Sequence, residues 1–405
     1  MKKREFKRWD QVLVATIGLG MALLLLGCGE KDTEEEILVE VEETSAQSDW
    51  PLFRGDAGMQ GVSSETLTAP LDLAWTFEPE VEEGRRRPPI DASPVIADGR
   101  VFVGTQGIEF LALDLETGDL LWSFEPEGPV IAPAGVHGDT VYFGDSYGFV
   151  YALDVETGEE KWPHYETDGK IEGGVNILEV EGGDAKVFVG SHDYFLYCFE
   201  GGTGKVMWKE ETGNYIVSTP SIIETEDGEA VSFGGCDGLL HVVPAEKGKW
   251  APKQIEIGSY VANSSAVRDG IAYVAHNGGE VMAIDIASGE VVWTVQTGTE
   301  YTASPAVDEK TLFVAGPDKR LVAMDRVTGE EIWDFRAPRG LDSSPVITGD
   351  TIWQGGMDGR IYAIDRTTGE EIWTFELGAQ VKASPAVSRG MLVVGGQDGV
   401  VYGFR

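Results

Sequence analysis

Cysteine is scarce in this chain, with three in 405 residues and no two adjacent. Only Cys198 and Cys236 lie in its body, the first in a core slot of one repeat and the second in a turn of the next, so a disulfide framework is excluded and the two are expected to stay apart. Basic residues are also few, 31 Lys and Arg against 69 Asp and Glu, for a formal charge of −38. A surface this acidic repels phosphate backbones and anionic headgroups, which excludes charge-driven binding to nucleic acid or lipid. The five histidines are scattered without metal-ligand spacing, so no metal site is expected. Glycine pairs such as Gly234-Gly235 and Gly355-Gly356 precede hairpin turns rather than helices, which excludes phosphate loops. No stretch of the body keeps a helical period.

What is present begins with a targeting segment. Lys2, Lys3, Arg4, Lys7 and Arg8 precede an apolar run from Val12 to Leu26 that ends on Leu25-Leu26-Gly27-Cys28. The run is shorter than the roughly 20 residues a membrane span requires. Residues 1–27 therefore read as a lipoprotein signal peptide, with Cys28 as the lipid-bearing residue. Residues 28–49 are acidic and poor in aromatics, which reads as a disordered tether. The folded domain is expected over residues 50–405.

An internal repeat decides the architecture. The phrase Ala-x-Asp-x-x-Thr-Gly-x-x-x-Trp is intact over 112–122, 152–162, 323–333 and 363–373, nearly so over 283–293, and looser over 198–208. The alanine slot falls at 112, 152, 198, 243, 283, 323, 363 and 403, which makes eight units. Each unit holds four short strand patterns joined by turns such as Asp358-Gly359 and Asp398-Gly399. The expected fold is all-β: an eight-bladed β-propeller of four-stranded antiparallel blades. The last unit stops at Arg405, after its third strand. Leu71–Phe77 is a fourth strand without a blade, so an N-terminal strand should complete the last blade and remove two open edges. The small slot residue leaves room for an indole, the aspartate can accept N–H groups of its turn, and the glycine supplies positive φ. The fourth unit departs from the pattern, with Pro244, an early Lys247-Gly248, and Lys253 where tryptophan is expected; Trp250 is a candidate to pack in its place.

At these residues the chain resembles the pyrroloquinoline-quinone-type (PQQ-like) repeat superfamily, over about residues 50–405. The resemblance implies one of two branches. One contains quinoprotein alcohol and glucose dehydrogenases, which hold quinone and calcium over the central channel. The other is non-catalytic and includes the acylated lipoprotein of the outer-membrane β-barrel assembly machinery, and the opening Trp50-Pro51-Leu52-Phe53-Arg54-Gly55-Asp56 looks like the start of secreted members of that group. Many alcohol dehydrogenases of the first branch carry adjacent cysteines and long roofing insertions, and this chain has neither. The expectation is therefore a protein-binding envelope scaffold that is not an enzyme, with no cofactor. A glycan- or small-ligand-binding propeller is the alternative, and a quinoprotein dehydrogenase the third reading.

The candidate binding rim comprises Tyr215, Tyr260, Tyr301, Lys319, Arg320, Arg336 and Arg339, on connections and turns of one face. Aromatics and arginines on an acidic protein fit a protein-contact patch, and the tyrosines could equally wedge between blades. The expected partner is an envelope protein. Membrane contact would be through the lipid alone, in the outer membrane facing the periplasm.

Overall fold

The computed structural model describes residues 49–405 except 83 and 181. The expected signal peptide, Cys28 and nearly all of the expected acidic tether lie outside the described residues. Within the body, short β-branched and aromatic runs separated by Gly-containing turns fold into eight four-stranded antiparallel blades, one of which gains Val62–Ser63 as a fifth strand parallel to its inner strand Val346–Thr348, and no helix occurs among the described residues.

Blade 1 is built from Val95–Ala97, Arg100–Gly104, Phe110–Asp114 and Leu120–Phe124, from the inner strand outward. The inner strands of blades 2 to 7 are Gly135–His137, Asn176–Glu179, Ser221–Thr225, Ala266–Arg268, Ala306–Val307 and Val346–Thr348. Blade 8 takes Ala386–Ser388, Met391–Gly395 and Val401–Phe404 from the C-terminus and Leu73–Phe77 as its outer strand. Trp75 lies opposite Gly403 in that pair, so the ring closes as expected.

Neighbouring blades are pinned by the repeated phrase. The indole N–H of Trp75 donates to the Leu115 carbonyl of blade 1 at 2.9 Å, that of Trp122 to Val155 of blade 2 at 3.1 Å, and that of Trp333 to Arg366 of blade 7 at 3.2 Å. Each ring lies over the Thr-Gly turn it reaches: a Cβ on Gly118 would stand 2.6 Å from the Trp75 ring. The aspartate of the phrase fastens its own turn, with Asp114 Oδ1 accepting the Glu116 and Thr117 N–H groups at 2.9 Å. At blade 4 the tryptophan is replaced by Lys253 rather than Trp250. Lys253 Nζ donates to the Ala287 and Ile286 carbonyls of blade 5 at 2.6 and 3.4 Å, reaching the site an indole N–H serves elsewhere. Cys198 and Cys236 are both free.

The segment Trp50–Glu65 is not part of any repeat, and it touches all eight blades in order. Its backbone meets Ile96, Val136, Ile222, Val267, Val307 and Ile347 on the inner strands of blades 1, 2, 4, 5, 6 and 7. The Asn176 side chain of blade 3 donates to Ala57 O at 2.8 Å, and Glu65 accepts the Arg389 and Gly390 N–H groups of blade 8. This strap runs around the inside of the ring and supplies Phe53 to the axial cavity.

Candidate axial site

The site grows from one feature of the inner strands. A hydroxyl residue opens most of them, and its Oγ accepts the N–H of the equivalent residue one blade earlier. Ser264 N donates to Ser304 Oγ at 3.0 Å, Ser304 N to Ser344 Oγ at 3.0 Å, Ser344 N to Ser384 Oγ at 3.1 Å and Ser384 N to Ser93 Oγ at 2.8 Å. The belt breaks at blade 2, where Pro133 has neither N–H nor hydroxyl. It fixes the level at which the preceding residues face the axis.

Two positions before this belt the blades differ: Asp91, Glu172, Thr302, Asp342 and Lys382 surround a cavity of about 150 Å³, with Asn263 in its wall and Phe53 reaching it from the strap. Gln106 and Gln397 hold the Asp91 carboxylate. Glu172 Oε2 pairs with His192 Nε2 at 3.0 Å, and that hydrogen bond holds the Glu172 carboxyl below its usual range. Burial pushes the Asp342 carboxyl up, against the pull of Lys382 on the next blade. Asn263 spends its Nδ2 on the Ala275 carbonyl at 2.7 Å, which leaves its buried Oδ1 without a partner. That oxygen is sealed from the cavity as well as from solvent, so the polar character of the mouth comes from Asp91, Glu172, Asp342 and Lys382. Among the described residues no three His, Cys, Asp or Glu side chains converge to hold a metal unaided.

The rim read from sequence is only partly assembled. Tyr215 and Tyr260 are 42% and 46% exposed, and Tyr215 stacks on His192 with ring centroids 4.7 Å apart, linking it to Glu172. Tyr301 is 3% exposed, and this corrects its assignment to the rim. Its slot is the one filled by Leu341 and Val381 in later blades, so its ring packs in the core between blades 5 and 6. The basic residues gather on blade 6 and are partly spent there: Arg320 pairs with Glu331 at 2.7 Å and Asp334 at 3.0 Å, and Arg336 with Asp334 at 3.0 Å. Lys319 and Arg339 are exposed. Asp91, Glu172, Asn263, Asp342 and Lys382 were not singled out from sequence. Their signal was available, because the two positions before each hydroxyl slot change character between blades whose other slots stay constant.

These features define a closed eight-bladed propeller of PQQ-like repeats with a polar axial mouth. The family model for the outer membrane protein assembly factor BamB matches residues 71–177, 237–344 and 318–405, and the chain belongs to that family. Among solved structures, BamB from Moraxella catarrhalis superposes with a TM-score of 0.68 at 19% identity, covering 83% of this chain and 98% of that one. The quinohemoprotein alcohol dehydrogenase from Comamonas testosteroni gives 0.73 at 16% identity, covering 88% and 80%. Among curated sequences, the dehydrogenase subunit of an alcohol dehydrogenase (quinone) from Gluconobacter oxydans (strain 621H) is 29% identical over 161 residues, 34% of this chain and 21% of that protein. A polyvinylalcohol dehydrogenase from Sphingopyxis sp. (strain 113P3) is 28% identical over 250 residues, 56% of this chain and 35% of that protein. The chain thus spans about a third or less of the curated relatives it matches.

These relatives overturn the expectation of a non-catalytic scaffold, since the curated sequences are named as dehydrogenases. The expectation rested on missing adjacent cysteines and missing insertions, which describe a roof over a site and not the axial side chains beneath it.

Proposed function

We propose that the axial mouth binds an anionic, oxygen-rich quinone cofactor and that the chain acts as a quinone-dependent alcohol dehydrogenase. The observation that carries this reading is the convergence of Asp91, Glu172, Asp342 and Lys382 on one axis. The lining fits the group: the carboxylates of Glu172 and Asp342 would suit a hard cation, and Lys382 suits carboxylate or carbonyl oxygens. At about 150 Å³ the cavity is below the ~300 Å³ of an ordinary small-molecule pocket, so such a ligand would lie across the mouth. A bound quinone supplies two-electron oxidation of an alcohol. Asp342, whose carboxyl burial raises, is the group placed to accept the alcohol's proton on a carboxylate oxygen. Lys382 would offer positive charge to the ligand's anionic edge, and Phe53 gives the cavity an apolar face.

The test is reconstitution of the purified chain with pyrroloquinoline quinone and calcium, followed by dye-linked oxidation of primary alcohols. Wild-type protein should turn over, and Asp342→Asn should lose at least ~100-fold in kcat, the scale of general base catalysis. An unreconstitutable wild type, with no change in quinone absorbance, would sink the reading.

A narrower reading concerns location and partners, and membership in an envelope assembly family supports it. Cys28 would carry the lipid, in the outer membrane facing the periplasm. Tyr215 and Tyr260, with Lys319, Arg320, Arg336 and Arg339 on the neighbouring blades, would contact an envelope protein. Cys28→Ser protein that remains membrane-bound in buffer would contradict the anchor.

A further inference from the structure

The strap carries a charge that the axial site does not use. Arg54 is 1% exposed, and among the described residues its one side-chain hydrogen bond is from Nη2 to the Pro305 carbonyl of blade 6, at 3.2 Å. One N–H on Nε and two on Nη1 are buried and have no acceptor among the described residues. An isolated buried cation is among the most expensive arrangements a fold can hold, and burial lowers the Arg54 pKa to about 9. Even so lowered, the guanidinium stays charged at neutral pH.

The Asp56 carboxylate attracts that charge without bonding to it. Its oxygens are turned instead to the Gln60 N–H, at 3.2 Å, and burial pushes its carboxyl up to about 6. Arg268, the other cation near Asp56, is bonded to Gln60 Oε1 at 2.8 Å and Glu309 at 3.0 Å. The guanidinium has little freedom to seek a partner elsewhere. Arg54 sits at φ 66° between backbone hydrogen bonds of the strap, and a Cβ on Gly61 would stand 2.0 Å from its Nη2.

From this geometry we infer a buried binding site for a small monovalent anion, of chloride size, held by Arg54 inside the propeller. An unspent N–H on Nε or on Nη1, which face different sides of the guanidinium, supplies its contact, and its charge meets the guanidinium on a side that Asp56 does not bond. The site is separate from the axial mouth. It is built by the strap against the inner strand of blade 6, and it makes the anion part of the folded ring. Binding to the folded chain alone stabilises it by mass action.

Two measurements on the full-length protein test this. Crystals soaked in sodium bromide should show an anomalous peak within hydrogen-bond distance of Arg54 Nε or Nη1. The melting temperature should rise by about 3–5 °C on replacing sodium gluconate with sodium chloride at equal ionic strength, at a concentration near 100 times Kd. Arg54→Met, which keeps the length of the side chain without the charge, should abolish the chloride dependence. A wild-type crystal with water only at Arg54, or a variant with the same chloride dependence as wild type, would overturn the inference. If Arg54→Met fails to fold, the bromide peak decides alone.

Discussion

At the circumference of the propeller nearly every blade repeats the same residues, whereas around its axis no two neighbouring blades present the same one. Trp75, Trp122, Trp293 and Trp333 each send an indole N–H to a carbonyl of the next blade. The axial slot instead passes from Asp342 to Lys382 to Asp91 across three consecutive blades. Both sets occupy equivalent backbone positions, so the difference lies in what the positions are for. A contact that every junction needs must recur, while a site needs different groups brought to one place. Blade 4 shows how strict the first demand is: it lost its tryptophan and still serves the same region of blade 5, through Lys253.

The largest effect is expected from breaking the circumference at its seam. Trp75 is buried against Gly118 and opposite Gly403. Trp75→Ala should cost about 3–5 kcal/mol, read by denaturant unfolding, and should promote association through the freed edges of blade 8. A smaller effect concerns the strap, where the Asp56 carboxyl is raised to about 6. A raised carboxyl favours the protonated folded state, so its stability contribution is present below pH 4 and is lost as pH rises through 6. Wild type should lose ~2 kcal/mol across that window, relative to Asp56→Asn, in which this loss is removed. Smallest is Lys253→Met, which removes the charged donor to blade 5 from a partly exposed position and should cost about 1 kcal/mol in the same assay. A neutral result there would mean that blade 4 is held by packing alone.

The circumference was legible in the sequence because its rules are local and repeated. Spacing of the alanine slot gave the eight units, and the unmatched strand Leu73–Phe77 gave the closure with Val401–Phe404. The function of the phrase was legible only in part, because the glycine of Thr-Gly answers to a tryptophan of the preceding blade, about 40 residues away in sequence. The strap was not legible at all. Residues 50–65 have no period, and their partners are scattered over eight separate blades, backbone groups on seven and the Asn176 side chain on blade 3. Tyr301 shows how little separates a rim from a core: one position along the connection moves a tyrosine from the exposure of Tyr260 to the interior. The axial residues were overlooked because each is ordinary within its own blade, and only superposition around the axis brings Glu172, Asn263, Asp342 and Lys382 together.

The most direct test of the division between circumference and axis is quinone binding, measured beside thermal stability, in the double variant Glu172→Gln with Lys382→Met, which touches two cavity-lining side chains and leaves the buried hydrogen bonds of Asn263 in place. Fluorescence titration with pyrroloquinoline quinone and calcium gives the first quantity and calorimetry the second. The expected result is a loss of affinity of at least ~30-fold, about 2 kcal/mol, with the melting temperature nearly unchanged. Undiminished binding, or a loss of binding that comes with a collapse in melting temperature, would contradict the claim that the axis carries the site and the circumference the fold.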